Sequence, residues 1–291
     1  GDKIVIFNQF EEFGNAIWHY NMTGGIIEEI FQREFAPQGA RLSGYVSATG
    51  SAGTIAAGDF LRTRHPGVRV VATEALQCPT LYQFGFGAHR IEGIGDKHVP
   101  WIHNVKNTDM VAAIDDEQTM QLMRLFNEPA GHDALRAAGV PAAVVERLDL
   151  AGISCICNLV AALKAAKYYD MGPKDVIFFP MTDSMELYGS RVQEMAKEHG
   201  RYTRAAAQAH HARYLLGTQT DHLRELTYFD RKALHQFKYF TWVEQQGKTS
   251  EELNRLWSDD FWQEVFAPEQ VAEWDRLIGK FNAATGVLKG L

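Results

Sequence analysis

Residues 47–58 have the sequence SATGSAGTIAAG, a stretch with no charge and almost no side-chain bulk. They follow RLSGYV, which is typical of a buried strand, and precede DFLRTRH, whose pattern favours a helix. Small residues at such a junction let the backbone approach a ligand, and the amides of a helix start attract anions. The stretch therefore predicts either a phosphate site or a tight turn that needs small residues for packing. It is not a P-loop, and it lacks the spacing of a dinucleotide-binding glycine fingerprint.

Strand and helix patterns alternate on both sides of this loop. Strands are predicted over residues 3–8, 41–47 and 68–74, at the start of DMVAAIDDEQTMQLMRLFNE, and over DVIFFPM. Helices are predicted over residues 24–35 and 53–64, from the acidic run at 115–117, and over PAAVVERLD and ISCICNLVAALKAAKYYDM. This alternation predicts an α/β fold, in which a three-layer, mainly parallel sheet carries helices on both faces.

The pattern changes after about residue 200. The rest of the chain has helical spacing throughout, with a capping box expected at Thr249 and Glu252 and a helix start at Pro268. No strand pattern is evident there, so an all-helical C-terminal extension is predicted over residues 201–291.

Composition limits the classes of partner. The net charge of -7 argues against nucleic acid as the main partner, because phosphate backbones bind basic surfaces. No apolar run has the length of a membrane span, so no membrane partner is expected either. The three cysteines, Cys78, Cys155 and Cys157, do not form a disulfide framework and indicate a reducing cytoplasm.

Four stretches, taken together, resemble one enzyme family. GSAGTIAAG resembles the GTGGTxxG phosphate loop of fold-type II pyridoxal-phosphate enzymes, the group of cysteine synthase and the tryptophan synthase β chain. Upstream, NQFEEFGNAIWHYNMTG resembles the stretch QFxNPxNPxxHYxTTG of cysteine synthases. Downstream, GAHRIEGIGDKHVPWI resembles xHxIQGIGxGFxP, and GISCICNLVAALKAAK resembles GISSGAAxxAAxxxAK. Order and rough spacing agree over residues 4–190.

The resemblance implies a tryptophan synthase β-like fold and a role for each matching residue. The phosphate of pyridoxal 5'-phosphate would be held by the loop residues Gly50, Ser51, Ala52, Gly53 and Thr54. Cys155 would lie beside the pyridine nitrogen, where a neutral thiol favours β-elimination; without the resemblance it is a small buried hydrophobe. The substrate would be bound by Gln9, which faces its carboxylate, and by the cleft residues Gly93, Ile94 and Gly95.

The resemblance also implies a division into domains. Residues 1–25 would be the last part of a small domain and its crossover. Residues 26–200 would form the large domain that binds the cofactor phosphate, and residues 201–291 the helical extension, which family members seldom have.

The lysine that holds the cofactor covalently is expected to lie outside this chain. In the family it belongs to an SxKxR-like segment well before the stretch that matches Gln9, and none of Lys97, Lys164 and Lys167 stands at its position. Because a strand pattern begins at residue 3, we expect a truncated or processed chain that is inactive alone.

Three functions follow as hypotheses. The first is β-elimination or β-replacement on serine or an activated serine by a lyase or transferase of amino-acid metabolism. The second is one subunit of a split enzyme whose partner chain carries the lysine. The third is a non-catalytic binding or regulatory module. A homo-oligomer such as a dimer, or a complex with a lysine-bearing chain, is expected. No metal site is expected, because His210, His211 and His222 belong to no HExxH pattern.

Overall fold

The computed structural model describes residues 6–290, and these residues contain one five-stranded sheet. The strands are β1 Arg41–Ala48, β2 Arg69–Ala75, β3 Met110–Ile114, β4 Asp175–Phe178 and β5 Leu223–Glu225. Their order is β4-β1-β2-β3-β5; the first four strands are parallel, and β5 is antiparallel to β3. The predicted α/β fold is confirmed, since both β2 and β4 pair with β1 in one sheet.

Fourteen α-helices lie among the described residues. They are α1 Phe13–Trp18, α2 Gly24–Ile30, α3 Ala56–Arg64, α4 Thr80–Gln83, α5 Asp116–Asn127, α6 Pro129–Ala137, α7 Ala142–Val145, α8 Ile153–Tyr168, α9 Gly189–His199, α10 Arg204–His210, α11 Tyr228–Lys238, α12 Ser250–Arg255, α13 Asp259–Val265 and α14 Pro268–Thr285. Turns of π-helix cover His19–Thr23, Phe31–Phe35, His211–Leu216 and Tyr239–Val243. None of these helices has the length and apolar composition needed to cross a bilayer.

Helices cover both faces of the sheet. Tyr45 and Val46 are consecutive in β1 and both fully buried, yet their side chains belong to different core clusters because neighbours in a strand point to opposite faces. Tyr45 belongs to the same core cluster as Leu61 of α3, and Val46 to the same cluster as Val160 of α8. This two-sided burial explains the continuous apolar runs of the parallel strands.

Two predictions near the N-terminus need correction. The predicted strand at residues 3–8 is wrong over 6–8, which have no regular structure and expose Ile6 and Phe7; its residues 3–5 lie outside the described part. The predicted helix at 24–35 begins earlier, at Phe13, and continues through π-helical turns to Phe35. Helical dihedrals persist through the flanking residues Trp18, Thr23 and Ile30, so the stretch is one continuous helix.

Later elements largely match their predictions. α8 covers the nearly uncharged segment that was predicted to be a buried helix, and Asp115 caps α5 through its carboxylate. PAAVVERLD forms only the short helix α7, followed by a 3-10 turn at Leu148–Leu150. The extension is not entirely helical, because it contributes β5 to the edge of the sheet. The division into domains stays a prediction.

Candidate functional site

The loop of residues 49–55 connects β1 to α3 and lies at the edge of a cavity of about 360 Å³. Parallel strands place their carboxyl ends along one edge of a sheet, which is where α/β proteins bind ligands. The cavity is lined by Gln9, Phe10, Asn15, His19, Ala48, Gly50, Ser51, Ala52, Thr54, Gly93, Ile94, Gly95, Ser154, Asn158, Pro180 and Thr182. The cavity thus unites all four stretches that were singled out in the sequence.

The backbone of the loop offers a row of hydrogen-bond donors. The amide N–H groups of residues 50–55 donate to no acceptor within the described part of the chain. Buried or cavity-facing amides are normally paired, so a row of unpaired donors indicates a place for an anion. No lining side chain among residues 6–290 is a lysine, an arginine or a carboxylate, and the cavity offers neutral donors instead.

The loop is held in shape from both sides. The hydroxyls of Ser47 and Thr54 lie 2.7 Å apart, and the Tyr45 hydroxyl donates to the Thr54 carbonyl at 2.8 Å. The Asn15 amide donates to the Ser51 hydroxyl at 3.0 Å and to the Gln9 carbonyl at 3.1 Å. Asn15 therefore links the N-terminal helix to the loop and fixes the Ser51 side chain.

Two glycines with left-handed backbone form the opposite wall. Gly93 has φ 81° and Gly95 has φ 86°, conformations that L side chains rarely adopt. The Gly95 amide donates to the Thr49 carbonyl at 2.9 Å, which brings this segment against the end of β1. A Cβ at Gly50 would lie 3.6 Å from the Gly93 carbonyl oxygen, so the two backbones almost touch.

The first two turns of α8 form the floor. Ser154 and Asn158 are four residues apart, share one face of α8 and both line the cavity. The Ser154 hydroxyl lies 3.3 Å from the Thr182 hydroxyl, and the Asn158 amide donates to the Pro180 carbonyl at 3.3 Å. The Asn158 Oδ1 is buried and has no partner among the described residues. This face therefore presents neutral polar groups.

Cys155 is not among the residues that line the cavity. Its thiol contacts Asp183, with Sγ 3.4 Å from Oδ1 and 3.5 Å from the carbonyl oxygen. Burial raises the pKa of this thiol, and the negative charge of the Asp183 carboxylate adds to the rise, so the group stays protonated near neutral pH. Tyr188 donates to the same carboxylate.

Eight of the ten residues singled out from the sequence line the cavity. Gly53 and Cys155 do not, although both belong to segments that do. A Cβ at Gly53 would lie only 2.1 Å from the Asn15 Oδ1, so glycine is needed there to make room for Asn15.

Several lining residues have no role that the sequence predicts. They are Phe10, Asn15, His19, Ala48, Ser154, Asn158, Pro180 and Thr182. The spacing of Ser154 and Asn158, two polar residues one turn apart in a nearly uncharged helix, was a usable signal. His19 contacts the Thr23 hydroxyl at 2.9 Å, and burial lowers its pKa, which keeps the ring neutral.

The lysines considered from the sequence are engaged elsewhere or do not line the cavity. Lys164 donates to the Asp221 carboxylate at 2.6 Å, and Lys167 donates to the Thr218 carbonyl at 2.5 Å. Lys97 is not among the lining residues. No group of three or more potential metal ligands is assembled within residues 6–290.

Comparison with known proteins relates part of this chain to one group of enzymes. No family model matches the chain. A cysteine synthase of Staphylococcus aureus (strain N315) is 24% identical over 173 residues, which are 59% of this chain and 48% of that protein. The chain is a distant homologue of the cysteine synthases. The resemblance to fold-type II pyridoxal-phosphate enzymes that the motifs carried is thereby confirmed.

A further relative and a solved structure are also similar to this chain. An O-ureido-L-serine synthase of Streptomyces lavendulae is 28% identical over 181 residues, which are 62% of this chain and 48% of that protein. The crystal structure of an O-acetyl serine sulfhydrylase, isoform 3, from Entamoeba histolytica has the same fold, with a TM-score of 0.51 at 22% identity over 70% of this chain and 53% of that one. The chain spans about half the length of the curated relatives it matches.

Proposed function

We propose that the cavity at the end of β1 binds pyridoxal 5'-phosphate, with its phosphate on the amides of Gly50, Ser51, Ala52, Gly53 and Thr54. The observation that carries this proposal is the row of unpaired N–H groups in front of α3. A phosphate has acceptor oxygens for several such donors, and the positive end of a helix dipole favours its charge. The cofactor phosphate therefore fits the donors that are present.

The neutral floor of the cavity suits the rest of the cofactor. Ser154, Asn158 and Thr182 offer hydroxyl and amide groups, and no carboxylate or cation of residues 6–290 lines this part. Cys155 would act indirectly, because its thiol faces Asp183 and supports the backbone of the segment that carries Thr182. Neutral groups of this kind around the cofactor ring favour β-elimination over transamination.

The reaction proposed for the whole protein is β-elimination or β-replacement on serine or an activated serine. Relatives named for cysteine and O-ureido-L-serine synthesis support this class of substrate. When bound, pyridoxal phosphate acts as an electron sink for the carbanion at the substrate Cα. Gln9 and the backbone of residues 93–95 border the opening and would bind and orient the amino acid.

The covalent lysine is proposed to come from outside residues 6–290, because none of the lining residues is a lysine. Such a lysine would be the covalent anchor and the base that removes the α proton. It would belong either to another part of the same polypeptide or to a partner chain. A second candidate function, a module that binds a phosphorylated ligand reversibly, is favoured by the cavity lining, in which residues 6–290 place no lysine.

Titration of the 291-residue chain with pyridoxal phosphate tests the proposal. We expect saturable binding that inorganic phosphate competes away, and a loss of affinity when Ser51 is replaced by alanine. The assigned site is wrong if inorganic phosphate does not compete with pyridoxal phosphate and Ser51→Ala leaves the affinity for phosphate unchanged.

Borohydride reduction and peptide mapping test the role of the lysine. After reduction in the presence of pyridoxal phosphate, no single lysine of this chain should be labelled stoichiometrically. Turnover of serine or O-acetylserine should be on the order of a million-fold below that of a complete enzyme, because catalytic groups that act as a unit are missing. Stoichiometric labelling of one lysine together with turnover would show that the chain carries its own anchor.

Mixing the chain with a lysine-bearing partner separates the two candidate functions. Recovery of turnover would support a split or longer enzyme. Continued binding of pyridoxal phosphate without turnover, in the presence of every lysine-bearing segment of the native gene, would support the reversible binding module.

A further inference from the structure

A second cavity lies between α3 and the helix α13 of the C-terminal extension. Its volume of about 550 Å³ falls within the range of roughly 300–1,000 Å³ that small-molecule sites occupy. It is lined by Tyr20, Asp59, Arg62, Thr63, Asn104, Lys106, Asn107, Asp259, Trp262, Gln263, Phe266, Ala267 and Pro268. Within residues 6–290 this cavity shares no lining residue with the cavity at the end of β1, so the two are separate places on the protein.

Three aromatic side chains give this second cavity an apolar wall. The rings of Tyr20 and Phe266 are stacked, with centroids 4.1 Å apart and an angle of 6° between their planes. The Trp262 ring lies 5.8 Å from the Phe266 ring at an angle of 28°, and its indole N–H donates to the Leu256 carbonyl at 2.8 Å. Packing and hydrogen bonding thus hold the wall in one arrangement. Aromatic rings also attract cations through the negative charge of their faces.

Asp59 supplies a carboxylate that no protein cation neutralises directly. It is the lining carboxylate that has no lysine or arginine within ion-pair distance among residues 6–290. Its carboxylate accepts from the Asn107 amide, and the Asn104 Oδ1 beside it is a buried acceptor without a donor in the same part of the chain. Burial raises the pKa of Asp59 to about 7, although the Asn107 hydrogen bond and the charge of Arg62 oppose the rise. A bound cation would offset the cost of keeping this carboxylate ionised.

The other charged groups of the lining have partners of their own. Lys106 donates to the Asp259 carboxylate at 2.7 Å. Arg62 donates to the Asp109 carboxylate, which also accepts from Arg231. One N–H of Arg62, at Nε, is buried without an acceptor among the described residues, and a neutral oxygen satisfies it without adding charge. The free charge of the cavity is therefore the carboxylate on α3, which favours a cationic ligand.

We propose that this second cavity binds the ammonium group of a small amine that has an apolar body. The ammonium lies at the Asp59 carboxylate, with the Asn104 Oδ1 as a further acceptor, because its three N–H groups need several acceptors. The apolar body lies against Tyr20, Phe266 and Trp262. Since α3 and α13 both contribute to the lining, the site exists only where the C-terminal extension packs against α3.

Isothermal titration calorimetry of the 291-residue chain with 2-phenylethylamine, in the absence of pyridoxal phosphate, tests the proposal. 2-Phenylethanol is the matched control ligand, because it has the same apolar body and no charge. The amine should bind about tenfold more tightly than the alcohol, or better, because its hydrogen bond to a carboxylate is charge-assisted. Asp59→Asn should abolish this difference. Asp260→Asn, which removes an exposed charge of α13 outside the lining, should preserve it.

Binding of the amine should also release protons from Asp59. Because its pKa in the free protein is about 7, the affinity should fall by about tenfold for each pH unit well below 7. At pH 7, titration in two buffers of different ionisation enthalpy should show release of about half a proton, and Asp59→Asn should show none. Of the other groups that face the cavity, Tyr20 has its pKa raised by burial and stays neutral, while Arg62, Lys106 and Asp259 are held in ion pairs.

The comparison of amine and alcohol on the native chain does not depend on any variant, and circular dichroism checks that each variant is folded. Equal affinity for the two ligands, an amine affinity that Asp59→Asn leaves unchanged, or binding without proton release would each overturn the proposal. Displacement of the amine by inorganic phosphate would also overturn it, because it would place the ligand in the cavity at the end of β1.

Discussion

At the scale of single residues, Ala52 has the conformation of a glycine. Its φ of 65° lies in the left-handed region, which costs an L residue about 1–2 kcal/mol. Its methyl group is nevertheless buried, which stabilises the folded state by about 0.8 kcal/mol. The resemblance to cysteine synthases places glycine at this position, so the loop has kept a strained backbone with a larger side chain.

Ala52→Gly should therefore be nearly neutral for stability. Relief of the left-handed strain offsets the lost methyl burial and the greater freedom of the unfolded chain, and we expect a change within about 0.5 kcal/mol. Ala57→Gly is the matched control, since Ala57 is equally buried but helical; it should lose about 2 kcal/mol. Urea unfolding measures both, and equal losses would show that Ala52 is not strained.

Gly53→Ala should weaken anion binding with little effect on folding. The new Cβ would displace the end of the Asn15 side chain, which is flexible, and so break the hydrogen bond that positions the Ser51 hydroxyl. One lost hydrogen bond corresponds to a drop in phosphate or pyridoxal phosphate affinity of about tenfold.

Gly67→Ala is the control for this substitution, because nothing lies within 4 Å of its Cβ position. Isothermal titration calorimetry should show unchanged affinity for Gly67→Ala. Unchanged affinity for Gly53→Ala as well would contradict the role given to the Asn15–Ser51 contact.

The sequence predicts which segments meet at the cavity, but not which of their side chains line it. The loop, Gln9 and residues 93–95 do meet at one cavity, as their motifs indicated. Which side chains of α8 face that cavity depends on the rotation of the helix about its axis. A motif alignment cannot give this rotation, and so Ser154 and Asn158 line the cavity while Cys155 faces Asp183.

At the scale of elements, the capping box of α12 makes a specific prediction. The Thr249 hydroxyl accepts from the Glu252 amide at 3.1 Å, and the Glu252 carboxylate accepts from the Thr249 amide at 2.7 Å. α12 carries the buried residues Leu253 and, just after its end, Leu256. Thr249→Ala should therefore lower the free energy of unfolding by about 1 kcal/mol.

Helix α13 provides the control for this substitution. Ser258 stands at the same position before α13, but its side chain makes no capping hydrogen bond. Ser258→Ala should lose well under half as much in the same urea unfolding experiment. If both substitutions cost the same, the box at Thr249 does not stabilise α12.

The sequence does not predict the helix from Phe13 or strand β5, because tertiary packing there overrides local preference. The helix from Phe13 contains glycines that disfavour a helix in isolation. In the structure Gly24 leaves room for the Phe60 ring and Gly14 for the Trp274 ring, so packing decides the conformation there. β5 has only three residues, too few to show an alternating pattern, and it forms because β3 offers an edge.

At the scale of the whole molecule, buried ionisable groups set how stability varies with pH. Burial raises the pKa of Asp59 and Glu74 to about 7. Their contribution to the free energy of unfolding therefore falls as the pH rises from about 4 to 7. Burial lowers the pKa of His103 and His235 to about 3, so theirs rises between about 3 and 6.5. These opposite trends largely cancel below pH 7.

Lys238 determines what happens above pH 7. Burial lowers its pKa to about 7, and its Nζ donates to the carbonyls of Trp101 and His103. Between pH 7 and the unfolded pKa of about 10.4 the unfolded chain binds a proton that the folded chain does not, so stability should rise with pH. From pH 7 to 9 the gain should be at most about 2 kcal/mol, before Cys157 and Tyr45, whose pKa values burial raises, begin to oppose it.

Replacing Lys238 with methionine should remove this rise. The variant should be less stable at every pH, because two buried carbonyls lose their donor, and its stability should no longer rise between pH 7 and 9. Lys197→Met, at an exposed position of α9, should keep the slope. Thermal unfolding at several pH values gives the comparison, and a persistent slope in Lys238→Met would assign it to other groups.

The short strand β5 also has a consequence for how the chain avoids aggregation. It pairs with β3, and Arg224 anchors it by donating to the Tyr82 carbonyl at 2.8 Å. Every residue of β3 is apolar and buried. A chain cut just before Leu223 would leave this strand as an open edge, the kind of surface on which other chains add their own strands and build fibrils. By pairing with β3, the three residues of β5 thus prevent other chains from adding strands to it.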